Sequence, residues 1–320
     1  MAQAVDRDHV FAGIFASTIC PMTKTGQIDT DGLAAHLSSV AGTNGMSGLL
    51  INGHAGENAA LDRTESVLVI ETARAACGKS LIVAGINSER TDIAASMAEE
   101  AARAGADAVM VFPPFSWALG ADERLVVEHH RAVAVASGLP LFLFQGAVGS
   151  GKTAFPATVL ARLLEIESVA GIKEGSWETA AYDATRRLSK RLRPDVAVMA
   201  SGDEHLFSCF AIGSDGSLVS LAAVVPEMIV ALDQAILRGD LAAGREIHER
   251  LYGLARAVYG APGHLATLRL KTCLKLLGRI PNATSRLPIV ELGSEEVLQL
   301  TEALAAAGLS ANLVASKSSK

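Results

Sequence analysis

One lysine and one glycine-rich loop are the clearest candidates for chemistry in this chain of 320 residues. Lys173 stands near the end of the otherwise apolar segment VAGIKE, and the segment FQGAVGSGKTAFP at 144–156 matches the phosphate-loop pattern G-x-x-x-x-G-K-[ST]. A poorly solvated amine has a lowered pKa and attacks a carbonyl as a neutral nucleophile. A glycine-rich loop instead offers backbone N–H groups to phosphates.

The phosphate-loop match has Gly146, Gly151, Lys152 and Thr153 at its fixed positions. Such a loop needs a helix directly after it, but Pro156 falls four residues after Lys152, which favours a helix that begins only near Phe155. An apolar strand that ends in an acid, VAVMASGD with Asp203, would supply the second half of a nucleotide site. Taken alone, the pattern fits either a nucleotide site or an ordinary loop between a strand and a helix.

A second group of candidates is the turn GHAGE at 53–57. Gly53 and Gly56 let the backbone approach a ligand, and free N–H groups in such a turn can hold a carboxylate. His54 is either an acid or base near neutral pH or a structural loop histidine. Lys173 has a comparable alternative, a structural ion pair with Glu174 or another acid.

Composition excludes several other classes of function. The net charge is −6, no block of basic residues occurs, and aromatic residues make up 4% of the chain. The sequence therefore lacks the clustered cations and stacking aromatic rings of a nucleic-acid-binding protein. The four cysteines form no C-x-x-C pair and the histidines show no metal-ligand spacing, which indicates no metal site or disulfide framework. No apolar run reaches the ~18 residues that span a bilayer. We therefore expect a cytoplasmic protein without metal or organic cofactor.

Along the chain, short apolar runs alternate regularly with stretches of helical period. The strand candidates are 13–19, 48–53, 80–87, 108–114, 139–144, 169–174, 196–201 and 217–221. Eight such strand–helix units in a row predict an α/β fold, a (β/α)₈ TIM barrel. The predicted division is a barrel at 11–240, a C-terminal helical extension at 241–310 and a disordered tail at 311–320.

This architecture places chemistry at the carboxyl ends of the strands. Lys173 and the GHAGE turn both lie there, after the sixth and second strands. The phosphate-loop match follows the fifth of eight similar strands, whereas a nucleotide-binding domain carries its loop after its first strand. The match is therefore interpreted as coincidental.

Several of these segments together resemble the dihydrodipicolinate synthase/N-acetylneuraminate lyase family of pyruvate-dependent aldolases and dehydratases. The resemblance covers roughly residues 11–280 and rests on ICPM, GHAGE, AGADAVMVFPP, GIKEGS, SGDE and GSDGSLVS. It implies that Lys173 forms a Schiff base with a 2-keto acid such as pyruvate or a sugar-derived 2-keto-3-deoxy acid, bound by its carboxylate to the GHAGE turn. It also implies a site lined by the backbone of Gly202 and Leu218, and a homo-oligomer, a tetramer or a dimer.

The chain departs from the family where protons are usually relayed. Phe144 stands in place of the tyrosine after the fifth strand, with Gln145 beside it, and Ser116 follows Phe115 where the family often has a tyrosine pair. The three tyrosines, Tyr182, Tyr252 and Tyr259, are predicted in helices away from the barrel mouth.

Two explanations of this departure stay open. Either His54, aided by Ser116 or water, replaces the tyrosine relay, or the barrel only binds a keto acid. The loop has no arginine for a distal carboxylate, so Lys152 with its glycines could take that role, or be an exposed loop lysine. The predicted catalytic residues are Lys173 and His54, and the predicted substrate contacts are Gly53, Ala55, Ser116, Phe144, Gln145, Lys152, Gly202 and Leu218.

Overall fold

The computed structural model describes residues 9–147, 154–286 and 291–309. Eight parallel strands pair in chain order and close into a barrel, with β8 beside β1. The strands are β1 (Gly13–Ser17), β2 (Met46–Ile51), β3 (Leu81–Ile86), β4 (Ala108–Val111), β5 (Leu141–Gln145), β6 (Val169–Glu174), β7 (Ala197–Ala200) and β8 (Gly216–Val219). All eight predicted strands are confirmed, and with them the (β/α)₈ barrel.

A helix follows each strand and covers the outside of the barrel. These helices are α1 (Thr30–Ala41), α2 (Arg63–Cys77), α3 (Thr91–Arg103), α4 (Glu123–Ser137), α5 (Ala157–Leu163), α6 (Thr179–Leu192), α7 (Leu206–Ile212) and α8 (Pro226–Leu237). Their starts follow local chemistry: Asp62 caps α2 in a complete capping box with Glu65, and Asp122 caps α4. Strands and helices share one apolar layer, so both faces of the sheet are buried.

The C-terminal extension consists of α9 (Leu241–Tyr259), α10 (Ala266–Leu276) and α11 (Ser294–Ala306). Helix α9 packs on α8, and α10 contacts the turn after β2. The extension therefore folds back over the carboxyl end of the barrel.

Inside the barrel a second apolar cluster fills the space below the mouth. It contains Phe15, Leu50, Met110, Phe142 and Leu218 among its buried members. The interior is thus a packed core, as expected for eight strands, and leaves room for a ligand only at the carboxyl ends.

Candidate active site

A cavity of about 610 Å³ lies at this carboxyl end, between the strand ends and the extension. The strand ends and the loops that follow them contribute Lys173, His54, Asp203 and Ser220 to its wall, and the extension contributes the segment around Tyr259. Its size is that of a small-molecule site.

Lys173 points into this cavity because of a local irregularity in β6. The pairing of β6 with β5 runs from Leu141 opposite Val169 to Phe142 opposite Gly171, which skips one residue and shifts the side-chain alternation. A Cβ on Gly171 would lie 2.3 Å from the Phe142 ring, so only glycine fits beneath the lysine. Lys173, two residues on, faces inward as Gly171 does.

The Lys173 amine is buried without a close anionic partner. Its side chain is 7% exposed, and Nζ lies 5.7 Å from the centroid of the Phe144 ring. Among the described residues it makes no hydrogen bond and no ion pair within 4.0 Å. Burial lowers the pKa of Lys173 to about 8, although the negative charge of Asp203 opposes the shift. A substantial neutral fraction near pH 8 makes the amine a competent nucleophile.

The alternative of a Lys173–Glu174 ion pair is wrong. Neighbouring residues of a strand face opposite sides, and Glu174 points towards α6. Its carboxylate accepts hydrogen bonds from the hydroxyl of Ser176 at 2.8 Å and from Thr185 at 3.4 Å. Burial raises the pKa of Glu174 to about 7, with the Ser176 contacts opposing.

The GHAGE turn forms a short 3₁₀ helix beside the lysine. The His54 ring lies 4.4 Å from that of Phe112 and 5.4 Å from that of Phe144, measured between centroids. The His54 residue is exposed to the open cavity, although other protein groups lie around its ring. Desolvation by the surrounding protein first, and then the charge of Lys173, lower the pKa of His54, so the ring is neutral at pH 7.

The same turn leaves two backbone donors free. Gly53 accepts from the N–H groups of Gly56 at 3.0 Å and Asn58 at 3.3 Å, whereas the N–H groups of His54 and Ala55 donate to no described residue. These two donors belong to the first residues of a 3₁₀ turn, where the helix supplies no acceptor. They are available to an anion beside Lys173.

Glu57 ties this turn to the C-terminal extension. It adopts a left-handed conformation with φ of 59°, and its carboxylate pairs with the fully buried ammonium of Lys271. The backbone N–H of Arg286 also donates to Glu57, at 3.2 Å. Thr267 of α10 donates from its hydroxyl to the carbonyl of His54 at 3.3 Å. The extension thus positions the turn.

A second polar corner of the cavity contains Asp203, Ser220 and Tyr259. Asp203 is 4% exposed and accepts from the N–H of Leu221 at 2.9 Å. Burial raises the pKa of Asp203 to about 6, against the effects of that hydrogen bond, of Lys173 and of Tyr259. Tyr259, the last residue of α9, faces both Asp203 and Ser220.

The prediction that all three tyrosines lie away from the mouth is therefore wrong for Tyr259. Helical periodicity located the helix but contained no information on where its end would lie, and α9 brings its last turn to the cavity. Tyr182 behaves as expected, since it is buried against β7 and donates to the carbonyl of Val198. Tyr252 is 44% exposed on the surface of α9.

The structure brings together four of the predicted site residues on the cavity wall: His54, Ala55, Phe144 and Lys173. It places the five others that it describes elsewhere. Gly53 and Gly202 are chain neighbours of wall residues but do not themselves line the cavity, Leu218 is fully buried in the barrel interior, and Ser116 donates from its hydroxyl to Glu89 at 2.6 Å.

Gln145 is the fifth, and its side chain is bonded within the protein. Its side-chain amide donates to the carbonyl of Phe155 and accepts from the N–H of the same residue, each at 3.0 Å. Phe144 faces the cavity, so the next residue of β5 faces outward. Gln145 closes the base of the loop between β5 and α5.

The phosphate-loop match lies mostly at 148–153, outside the described residues, and so does Lys152. The flanking structure disagrees with a phosphate loop, because α5 begins only at Ala157 with Pro156 as its cap. In a phosphate loop the lysine stands at the start of the helix itself.

The remaining site features concern metals, membranes and cysteines. Across the described ranges, no three His, Cys, Asp or Glu side chains cluster as a metal site would require. None of the helices in these ranges is both long and apolar enough to cross a bilayer. The cysteines Cys20, Cys77, Cys209 and Cys273 are free thiols.

A (β/α)₈ barrel with a buried, desolvated amine at its mouth is the arrangement expected of enzymes that act through a lysine imine. The model of the dihydrodipicolinate synthetase family matches residues 10–307 of this chain. The chain belongs to that family, and the predicted enzyme class, an imine-forming lyase, is confirmed with it.

Known proteins are similar to this chain over nearly its whole length. The 4-hydroxy-tetrahydrodipicolinate synthase of Methanothrix thermoacetophila is 30% identical over 92% of this chain and 96% of its own. The crystal structure of dihydrodipicolinate synthase from Aquifex aeolicus covers 94% of this chain and 100% of its own, at 25% identity with a TM-score of 0.83. YagE from E. coli K12, solved in complex with pyruvate, has a TM-score of 0.86 at 23% identity, covers 93% of this chain and 99% of its own, and supports the fold. None of these matches supports a nucleotide-binding or binding-only protein.

Proposed function

We propose that Lys173 forms the imine of this enzyme with a 2-keto acid of the pyruvate type. The observation that carries the proposal is the Lys173 amine itself: it is 7% exposed, has no ion-pair partner in the described structure, and has a pKa lowered by burial to about 8. At pH 7 roughly one amine in ten is then neutral, against fewer than one in a thousand for an ordinary lysine.

The imine provides the chemistry of a lyase. Nζ attacks the keto carbon, the oxygen leaves as water, and a protonated C=N bond results. This cation accepts the electron pair of a neighbouring C–H or C–C bond and forms an enamine. The enamine then either adds to an aldehyde, in the aldol direction, or expels a hydroxide from the β carbon as water.

The keto acid's carboxylate is assigned to the turn beside Lys173. The free N–H groups of His54 and Ala55 are two donors that no described residue satisfies, and a carboxylate accepts both. The neutral ring of His54 contacts Phe144 and is suited to accept or donate a proton on the substrate rather than to pair with its charge.

The rest of the cavity would hold a second reactant. Its volume of about 610 Å³ exceeds what pyruvate needs. Arg286 lines it, but its guanidinium already pairs with Glu65 and donates to the carbonyls of Gly26 and Ala60. We therefore retain Lys152 as the proposed cation for a distal carboxylate. The substrates proposed are pyruvate with an aldehyde, or a 2-keto-3-deoxy acid; the synthase activity in the names of the relatives is one such case.

We further propose a cytoplasmic homo-oligomer, a tetramer or a dimer. Phe115 and Leu119, in the loop after β4, are 59% and 90% exposed and offer apolar surface to another copy. The free thiols suit a reducing compartment. Sedimentation analysis of the purified chain tests the first part: a monomer at micromolar concentration contradicts it.

Borohydride trapping tests the imine. Wild type is incubated with pyruvate, reduced, and examined by intact mass and peptide mapping, beside Lys173→Ala and the surface control Lys79→Ala. We expect one pyruvate-sized adduct on Lys173 in wild type and in Lys79→Ala, and none in Lys173→Ala. An adduct on another lysine, or none from pH 7 to pH 9 with pyruvate and with longer 2-keto acids, overturns the proposal.

A further inference from the structure

The phenol of Tyr259 lies on one side of Lys173, and Phe144 lies on the other. Phe144 occupies the position where the family usually has its tyrosine. Strands β5, β6 and β7 are neighbours in the barrel, so Phe144 flanks Lys173 on one side and the loop of Asp203 flanks it on the other. Tyr259 reaches Asp203 from the end of α9. A phenol therefore lies across the lysine from Phe144.

The phenol is held firmly, yet its hydroxyl lacks a well-aligned hydrogen bond. Its oxygen is buried, and Asp203 and Ser220 lie close enough to affect its pKa, yet neither makes a well-aligned hydrogen bond with it in the described structure. Trp177 packs edge-on against the ring with centroids 5.0 Å apart, and it does so from a left-handed conformation with φ of 61°. Left-handed backbone at a bulky residue is unfavourable and tends to persist at functional sites. A buried hydroxyl without a partner is likewise rare, and a substrate oxygen at Lys173 would supply one.

We propose that Tyr259 and Asp203 form the acid–base pair that moves protons at the Lys173 imine, in place of the usual tyrosine after β5; the inference rests on the proposed function. Asp203 stores the proton and Tyr259 carries it to and from the substrate. Both residues line the same cavity as Lys173, and Tyr259 is the only tyrosine among the described residues of the cavity wall.

The proton balance of imine formation closes within these three residues. The proton that leaves the Lys173 ammonium is taken by the Asp203 carboxylate, and the neutral amine forms the C–N bond while the C=O electron pair moves to oxygen. One of the two remaining N–H protons then moves to that oxygen and gives the neutral carbinolamine with its hydroxyl. Asp203 returns the proton through the Tyr259 hydroxyl to the hydroxyl of the carbinolamine, whose C–O bond breaks as water leaves. The nitrogen pair closes the C=N bond, and Asp203 is a carboxylate again.

The next step uses the same route in reverse. The C3–H bond of the protonated imine breaks, its electron pair forms the C=C bond of the enamine, and its proton passes through Tyr259 to Asp203. The surroundings suit this division of roles. Burial and the charge of Asp203 hold the pKa of Tyr259 well above 10, with Cys273 as a further neighbour, so the phenol relays a proton rather than releasing one. The pKa of Asp203, raised to about 6, allows its carboxylate to hold the proton between the two transfers.

Exchange of the methyl protons of pyruvate for deuterium measures this step, because exchange requires both the imine and proton removal at C3. Tyr259→Phe is compared by NMR with wild type and with Tyr252→Phe, a matched control on the exposed face of the same helix. We expect exchange to fall at least 100-fold in Tyr259→Phe and to stay within threefold of wild type in Tyr252→Phe. Asp203→Asn, which keeps the acceptor for Leu221 N–H but cannot store the proton, should also lose at least 100-fold.

Trapping and melting separate this inference from the proposed function. Tyr259→Phe should still give the borohydride adduct on Lys173 after long incubation and should melt near wild type, since no well-aligned hydrogen bond is lost with the hydroxyl. Exchange at the wild-type rate in Tyr259→Phe or in Asp203→Asn, with the adduct intact, overturns the relay and leaves the imine standing. Absence of an adduct in wild type overturns the proposed function and the relay together.

Discussion

Replacing Lys173 by methionine should stabilise the protein at neutral pH, because the folded state keeps this ammonium out of water. Burial lowers the pKa of Lys173 from 10.5 to about 8 even though Asp203 opposes the shift. One pKa unit corresponds to about 1.4 kcal/mol, so protonated Lys173 disfavours the folded state by about 3 kcal/mol. Methionine has a similar length and no charge, and therefore removes this penalty.

The penalty has a defined pH window. The folded pKa lies below the unfolded value of 10.5, so the unfolded chain binds more protons between the two and stability rises with pH there. The penalty is fully present below about pH 8 and is lost as the pH approaches 10.5. The advantage of Lys173→Met should thus be about 3 kcal/mol at pH 7 and less than about 1 kcal/mol at pH 10.

Thermal unfolding at the two pH values measures this difference. For a chain of this length, about 3 kcal/mol corresponds to a rise in Tm of about 4 °C. Lys271→Met is the matched control, since Lys271 is also buried but pairs with Glu57 and donates to the carbonyl of Thr284 at 2.8 Å. Its loss leaves a buried carboxylate unpaired and should lower Tm by at least about 4 °C. If the Tm of Lys173→Met does not rise at pH 7, or rises equally at pH 10, the claim that the buried ammonium destabilises the folded state is refuted.

Two further predictions concern the same site. The rate of imine formation with pyruvate, measured by borohydride quenching, should rise with pH around a midpoint near 8. Asp203→Asn should move that midpoint lower, because it removes the charge that raises the pKa of Lys173. A wild-type midpoint near 10 contradicts this prediction. Gln145→Leu should lower Tm by about 3 °C, since burying the N–H and C=O of Phe155 without partners costs about 2 kcal/mol, while the Lys173 adduct still forms. An unchanged Tm would show that water replaces the amide.

Local patterns in the sequence were sufficient to predict the barrel. Each strand is a short apolar run and each helix carries an amphipathic period, so eight repeats define the fold without knowledge of any long-range contact. The position of Lys173 followed from the same reasoning, because a strand end in this fold is a place for chemistry. Even Gln145 was predictable in principle: if Phe144 faces inward, alternation turns its neighbour outward.

Tyr259 shows what such patterns do not contain. Its position depends on how the extension packs over the mouth, through contacts between residues far apart in the chain. Glu57 and Lys271 form one such contact, and Thr267 with the carbonyl of His54 forms another. No periodicity in α9 indicates that its last turn ends at Asp203. The single available signal was the acid itself, which follows β7 in SGDE at the correct end of the barrel.

The same contacts connect both the GHAGE turn and the phenol of Tyr259 to the C-terminal extension. Lys271 lies on α10 and pairs with Glu57 of the turn, and α10 follows α9, whose last residue is Tyr259. A displacement of the extension would therefore move the two free N–H groups and the phenol away from Lys173 together. The barrel supplies the nucleophile, whereas the extension positions the groups proposed to hold the carboxylate and move the proton. Substitutions at Glu57 should consequently lower the rate of C3 exchange as well as stability, although Glu57 itself is bound to Lys271 rather than to substrate.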